Sequence, residues 1–135
     1  MAVIVFTDAS LVLNAVNLSG WVKEVKLDVE VEDLDSTVMG TNGWKSREAG
    51  LKDGSITITF LQDFAASAVD ATIWAAFGTK VAFTLKPTTA ATSATNPAYS
   101  GTVLVNQHTV GAQVGQLGEV QVTFPVSGAV ARATS

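Results

Sequence analysis

The chain has 135 residues, enough for one domain with a real core and too short for two. Apolar residues make up 47% and charged residues 15%, with a net charge of −4; the acidity argues against tight nucleic-acid binding, which draws on Lys and Arg, and so few charges suit a surface partly covered by neighbours. There is no cysteine, which excludes a disulfide frame, a zinc–thiolate site and a thiol nucleophile and agrees with assembly in a reducing cytoplasm.

The opening MAVIVFTDAS has no basic region ahead of its short apolar run, so it does not read as a secretory signal. No run approaches the roughly 18 apolar residues of a bilayer span, and no membrane partner is expected. Asn17-Leu18-Ser19 fits a glycosylation sequon, which has meaning only in a secreted chain. Residues 3–6 and 11–16 are short apolar runs separated by a turn at 7–10, and 17–20 makes another turn.

From Trp21 the pattern becomes regular. Residues 25–34 read VKLDVEVEDL. Val25, Leu27, Val29 and Val31 fall on one face of a pleat, and Lys26, Asp28, Glu30 and Glu32 on the other. Such alternation predicts a strand with one buried and one solvated face. Six of the twelve acids lie between Glu24 and Asp35.

Residues 35–54, DSTVMGTNGWKSREAGLKDG, read as a long loop that carries Met39 and Trp44 where polar residues are the rule. A compact domain rarely keeps a loop of this length without a function. Trp and Arg are enriched at interface centres, and Met makes adaptable apolar contacts. Met39, Trp44, Lys45 and Arg47 are therefore a candidate subunit interface. The competing reading has Trp44 folded back over its own sheet edge. Lys45, Arg47 and Lys52 make the loop basic enough to complement an acidic strand face on another copy.

Ile56, Ile58 and Phe60 alternate with Ser55, Thr57 and Thr59 in a second strand. Val69, Ile73 and Phe77 then stand at helical spacing, widened by Ala66 and Trp74 into an apolar stripe. Asp63 or Ser67 is placed to cap this helix, Asp70 suits its positive end, and Gly78 suits a left-handed stop. Residues 80–86 form a third alternating strand, with Val81, Phe83 and Leu85 inward. Residues 87–98 are a Thr/Ala/Pro loop. Residues 99–109 and 119–126 are the last strands, joined by a Gly-punctuated turn at 110–118, with Pro125 ending the run or marking an edge. The tail from Ala129 reads as frayed. The order gives a mainly β, α+β domain over residues 1–135, an antiparallel sandwich or barrel with one flanking helix.

No catalytic signature accompanies this pattern: there is no nucleophile elbow, zincin pair, P-loop or dinucleotide motif. His108, the single histidine, reads as a surface or capping residue. Asp28, Glu30 and Glu32 offer hard oxygens, but same-face neighbours on a strand stand roughly 6.6 Å apart, too far for one row to wrap a cation unaided. The expectation is a non-enzyme without cofactor or metal. A ligand-binding β-sandwich would need an exposed aromatic groove, and most of the ten aromatics fit inward positions.

The run VNLSGWVKEVKLDVEVEDLDSTVMGTNGWKSREAGLKDGSITITFLQDF, followed by VDATIWAAFGTKVAFTLKP and VTFPVSGAVARATS, resembles the tail tube proteins (major tail proteins) of long-tailed, siphovirus-type bacteriophages. The resemblance implies a β-sandwich or barrel with a flanking helix. It implies six copies in a ring, rings stacked into a tube, and genomic double-stranded DNA passing through the lumen without tight binding. Partners would be other copies of the chain, a tape-measure protein, and terminator and baseplate proteins, in a virion tail assembled in the host cytoplasm. Asp28, Glu30 and Glu32 then become candidate lumen residues, since an acidic wall repels phosphates. About four strands from each copy would give a barrel roughly 37 Å across before tilt. A terminator or baseplate ring protein is the alternative within the same setting.

Overall fold

The computed structural model describes residues 3–135 as two antiparallel sheets closed by one short helix. The first sheet has the order β2-β1-β5-β6-β8, from β1 (Ser10–Leu13), β2 (Val16–Asn17), β5 (Lys80–Lys86), β6 (Ala98–Leu104) and β8 (Ala131–Ala133). The second has the order β3-β4-β7, from β3 (Val22–Asp35), β4 (Arg47–Leu61) and β7 (Glu119–Pro125). The helix α1 (Val69–Ala76) follows β4 and precedes β5.

Period-two alternation explains the core. Leu11, Leu13, Val81, Phe83 and Val103 face inward from the first sheet, and Ile56, Ile58, Phe60, Val120, Val122 and Phe124 from the second. Val69, Ile73 and Ala76 of α1 join the same cluster. Burying each large aliphatic or aromatic side chain stabilises by about 1.5–3 kcal/mol. The expected fold class, a β-rich sandwich with one helix, is the one observed.

Several local expectations are corrected. The apolar run 11–16 is a tight hairpin, because Asn14 and Ala15 both adopt positive φ (51° and 64°) and reverse the chain. The loop expected at 35–54 shrinks to residues 36–46, since β4 already begins at Arg47 and pairs with Asp35. Beyond the core both faces of the hairpin are solvated, and Val29 and Val31, expected on a buried face, are exposed, because the first sheet does not extend over them and backbone pairing alone continues the ladder. A bulge between Val31 and Asp33 accommodates Gly50, whose missing Cβ would fall 2.7 Å from Glu32 Oε2.

The helix spans eight residues, starting after Ala68 with no side-chain cap. Asp63 instead accepts from Ala65 N (3.0 Å) and from Trp21 Nε1 (2.8 Å). The buried stripe is Val69, Thr72, Ile73 and Ala76, while Trp74 and Phe77 are exposed. Gly78 does take the left-handed conformation, with φ 83°. The last strands are not a hairpin: β6 belongs to the first sheet and β7 to the second, so residues 105–118 carry the chain across. The tail is not frayed throughout, because β8 pairs with β6 and Arg132 Nε donates to Tyr99 Oη at 3.1 Å. The 87–98 loop is pinned by buried Asn96, whose side chain accepts from Thr88 N and donates to the Ala90 and Ala91 carbonyls.

Candidate assembly surfaces

The second sheet leaves two margins open. β7 pairs only with β4, and Pro125, which has no N–H to offer, sits at its end opposite Ser55, as suits an edge. β3 also pairs only with β4, so all 14 of its residues form an edge without a partner among the described residues. Long regular edges are hazards that solitary proteins shorten, charge or cover. The edges of the first sheet, β2 and β8, are two and three residues long. The contrast singles out β3.

The outer face of this sheet is polar. Across the ladder, Asp28 stands opposite Ser55, Glu30 opposite Asp53, Lys26 opposite Thr57 and Glu24 opposite Thr59, and β7 adds Gln121 and Thr123. Two of the charges are neutralised locally, Lys26 by Asp28 at 3.6 Å and Lys23 by Glu119 at 2.9 Å. Asp28 and Glu30 share this face, where Glu30 stands with Asp53 and the charge of Asp28 is offset by Lys26. Glu32 differs from them: its Oε2 accepts from Leu51 N at the bulge.

The β3–β4 hairpin runs beyond the core, and its tip is held by its own polar groups. Ser36 N donates to Ser46 O (2.9 Å), Ser46 N to Thr37 Oγ1 (2.8 Å), and Thr37 N to Asp35 Oδ1 (2.9 Å). The Thr37 hydroxyl first, and its backbone N–H second, hold the Asp35 carboxyl below its ordinary range. One 3-10 turn over Met39–Thr41, closed by Asn42 and Gly43 at positive φ, completes the tip. On this firm support Met39 is fully exposed and Trp44 is 79% exposed. Trp44 therefore does not cover its own sheet edge. Lys45 is exposed beside it. Arg47 is not free: its Nε lies 3.3 Å from Asp33 Oδ2 across the hairpin. Met39, Trp44 and Lys45 share the tip, and Arg47 belongs to its base.

At the other end of the molecule His108 is more than a surface residue. Its Nε2 lies 3.1 Å from Asp70 Oδ1 with 13% of the side chain exposed, and its ring meets Trp74 edge-on at 5.1 Å. Sequence spacing could not show this pair, because 38 residues, including β5 and β6, separate its members. Among the described residues no cluster of metal-ligating side chains forms, and no helix is long and apolar enough to cross a membrane.

No protein-family model and no curated protein sequence matches the chain. Among the solved structures that share its fold are two from gene transfer agent particles. One is a chain of the virion of a native gene transfer agent particle, with TM-score 0.73 and 15% identity over 93% of this chain and 95% of that one. The other is a chain from the tail of an empty particle of the same kind, refined with C6 symmetry, with TM-score 0.65 and 15% identity over 82% and 81% of the two chains. At this identity the likeness establishes the fold alone, over 93% of the chain.

Proposed function

We propose that residues 1–135 form a single tail-tube-like domain, a non-enzymatic structural subunit that joins copies of itself into hexameric rings, and that the rings stack into the tube of a phage-type tail. The observation that carries this reading is the unpartnered 14-residue β3 edge. It is long, carries eight charged residues and shifts register between Val22 and Glu24 and between Val31 and Asp33. It lies on a sheet whose other margin, β7, pairs with no further strand among the described residues and has one N–H, that of Thr123, donating to Gln107 Oε1 at 3.2 Å. Joining β7 of one copy, seven residues long, to the 14-residue β3 of the next covers up to half of that edge and closes a ring. The fold likeness to a chain from a C6-symmetric tail supports the six-fold number.

Each copy brings three strands to this inner sheet, one fewer than expected from the sequence. Eighteen strands at roughly 4.8 Å give a diameter near 27 Å, and a tilt of about 40° widens it to about 36 Å. The face carrying Asp28 and Glu30 then lines the lumen, where like charge keeps double-stranded DNA moving. Tape-measure, terminator and baseplate proteins are the further partners of such a tube, in a virion tail built in the bacterial cytoplasm.

Negative-stain microscopy of concentrated protein tests the reading. Rings and tubes are expected. Rings that never elongate would point to a terminator or baseplate role, and particles of one chain at every concentration, with or without tail partners, would end the proposal.

A further inference from the structure

Resting on that reading, we infer that residues 3–6 form an arm that crosses the seam between neighbouring copies of one ring and docks on the outer face of α1 in the next copy. The arm reads VIVF, carries no charge, and joins no strand among the described residues. Val3 is 79% exposed, Val5 82% and Phe6 61%. Its root is fixed: Thr89 Oγ1 donates to Asp8 Oδ2 at 3.1 Å, and the loop that carries Thr89 is pinned in turn by Asn96. A contiguous apolar segment in water marks a contact surface. With stiff β-branched side chains and a fixed root, it loses little freedom on docking.

Placement identifies the partner. Residues 6–9 wall a groove of about 420 Å³, and the facing wall includes four consecutive residues of β3, Val22 to Val25. The arm therefore leaves the molecule on the open side of β3. The open side of β7 is marked by Gln107, whose Oε1 accepts from Thr123 N. His108 follows it and meets Trp74 of α1 edge-on at 5.1 Å, so the exposed face of α1 belongs to the β7 flank. Val22 pairs with Phe60 and Phe60 with Val120, the row beside Gln62, where the chain leaves β4 for α1. Arm and face thus stand on opposite flanks at the same end of the sheet. They meet when β3 of one copy joins β7 of the next, a heterologous contact that closes with the ring. The sheet and its core stand between an arm and the face of its own chain.

The chemistry of the two surfaces agrees. Trp74 is 63% exposed and Phe77 44%, with ring centroids 5.7 Å apart. Val110, two residues beyond His108, is also exposed. Asp70, the one charged residue of α1, is turned to His108 at 3.1 Å, and residues 105–118 contain no Asp, Glu, Lys or Arg. The face therefore offers aromatic rings with no free charge beside them. An uncharged arm suits it and desolvates nothing costly on arrival. The β3 edge, with eight charged residues in fourteen, is a poor bed for the same arm. The face is also firm, because Gln62 Nε2 donates to Gly111 O at 2.7 Å and holds the segment next to Val110.

Cysteine pairing tests this, since the chain has no cysteine of its own. Val5→Cys is combined in one chain with Ala75→Cys or, separately, with Val110→Cys, all at exposed positions. After assembly and oxidation, at least one of the two pairs should give a ladder of disulfide-linked chains that ends at the hexamer. A ladder that continues past the hexamer would place the arm between rings. Disulfides closed within single chains would place it on its own α1. Either result, or rings with no ladder from either pair, overturns the inference and leaves the ring proposal standing. Val5→Asp reads the same contact without cysteine. It should leave the melting temperature of the single chain unchanged and raise the concentration at which rings form at least about tenfold, equivalent to 1.4 kcal/mol. Rings that form at an unchanged concentration overturn the inference. Absence of any oligomer, in the unaltered protein as well, overturns both readings.

Discussion

Trp21 Nε1 donates to Asp63 Oδ2 at 2.8 Å, tying the root of the projecting hairpin to the segment that leads into α1. Both partners are half-buried, so the bond is partly shielded from water. The Asp63 carboxylate also organises the turn before the helix by accepting from Ala65 N. Trp21→Phe keeps most of the ring and removes only the donor. The expected loss is about 1–2 kcal/mol, read as a lower urea midpoint with an unchanged slope. An unchanged midpoint would mean that water replaces the indole without loss.

Asn96 is buried to 6% exposure and satisfies several backbone groups of the 87–98 loop at once. Asn96→Ala leaves the Ala90 and Ala91 carbonyls and the Thr88 N–H without that partner. A destabilisation of about 2 kcal/mol is expected, together with faster amide exchange confined to residues 87–97. Uniform exchange across the whole sheet would show that Asn96 supports more than its loop.

Asp35 gives the hairpin tip a pH signature. Its folded pKa is depressed, chiefly by the Thr37 hydroxyl and then by the Thr37 N–H. The stabilisation of the tip is therefore present above the unfolded value and is lost as pH falls through the lower, folded value. Thr37→Val removes the larger influence and keeps the N–H. Carboxyl titration by NMR should then place Asp35 closer to an ordinary aspartate, though still below it. No movement would assign the whole effect to the backbone.

Trp44 separates assembly from folding. It is largely exposed in the single chain, with only its backbone N–H engaged, to Thr41 O at 3.2 Å. Trp44→Ala should change monomer stability by no more than about 0.5 kcal/mol. Buried against a neighbour, an aromatic anchor of this kind is worth about 2 kcal/mol or more, roughly 30-fold in the concentration at which copies associate. Equal losses in unfolding and in sedimentation would return the residue to the fold of its own chain.

How far the sequence could be read follows from where water is excluded. Ile56, Ile58 and Phe60, or Val120, Val122 and Phe124, are visible as strands because one face meets the core and the other does not. Arg47 to Lys52 belong to the same strand as Ile56, but solvent on both sides removes the alternation. The helix stripe was misjudged for a related reason. Trp74 and Phe77 have helical spacing and apolar side chains, yet they lie on the outside, and hydrophobicity alone cannot distinguish a core from a surface awaiting a partner. The Asp70–His108 pair and the open β3 edge had no local signal, because both depend on which strands become neighbours.

The acidic face supplies the sharpest test of orientation. Asp28 and Glu30 lie on the outer face of the second sheet, opposite Ser55 and Asp53, whereas Glu32 also serves the bulge through Leu51 N. Asp28→Lys with Glu30→Lys adds two charges at each site and moves the net charge from −4 to 0. The fold should survive, since neither side chain is in the core cluster. If the face lines a lumen, tubes carrying both lysines should retain duplex DNA at low salt and release it as salt rises, with slower DNA delivery from assembled particles. Glu32→Lys should behave differently, lowering stability through the bulge before it alters DNA passage. DNA delivery indifferent to both lysines would place this face on the outside of the assembly and transfer the lumen to another surface.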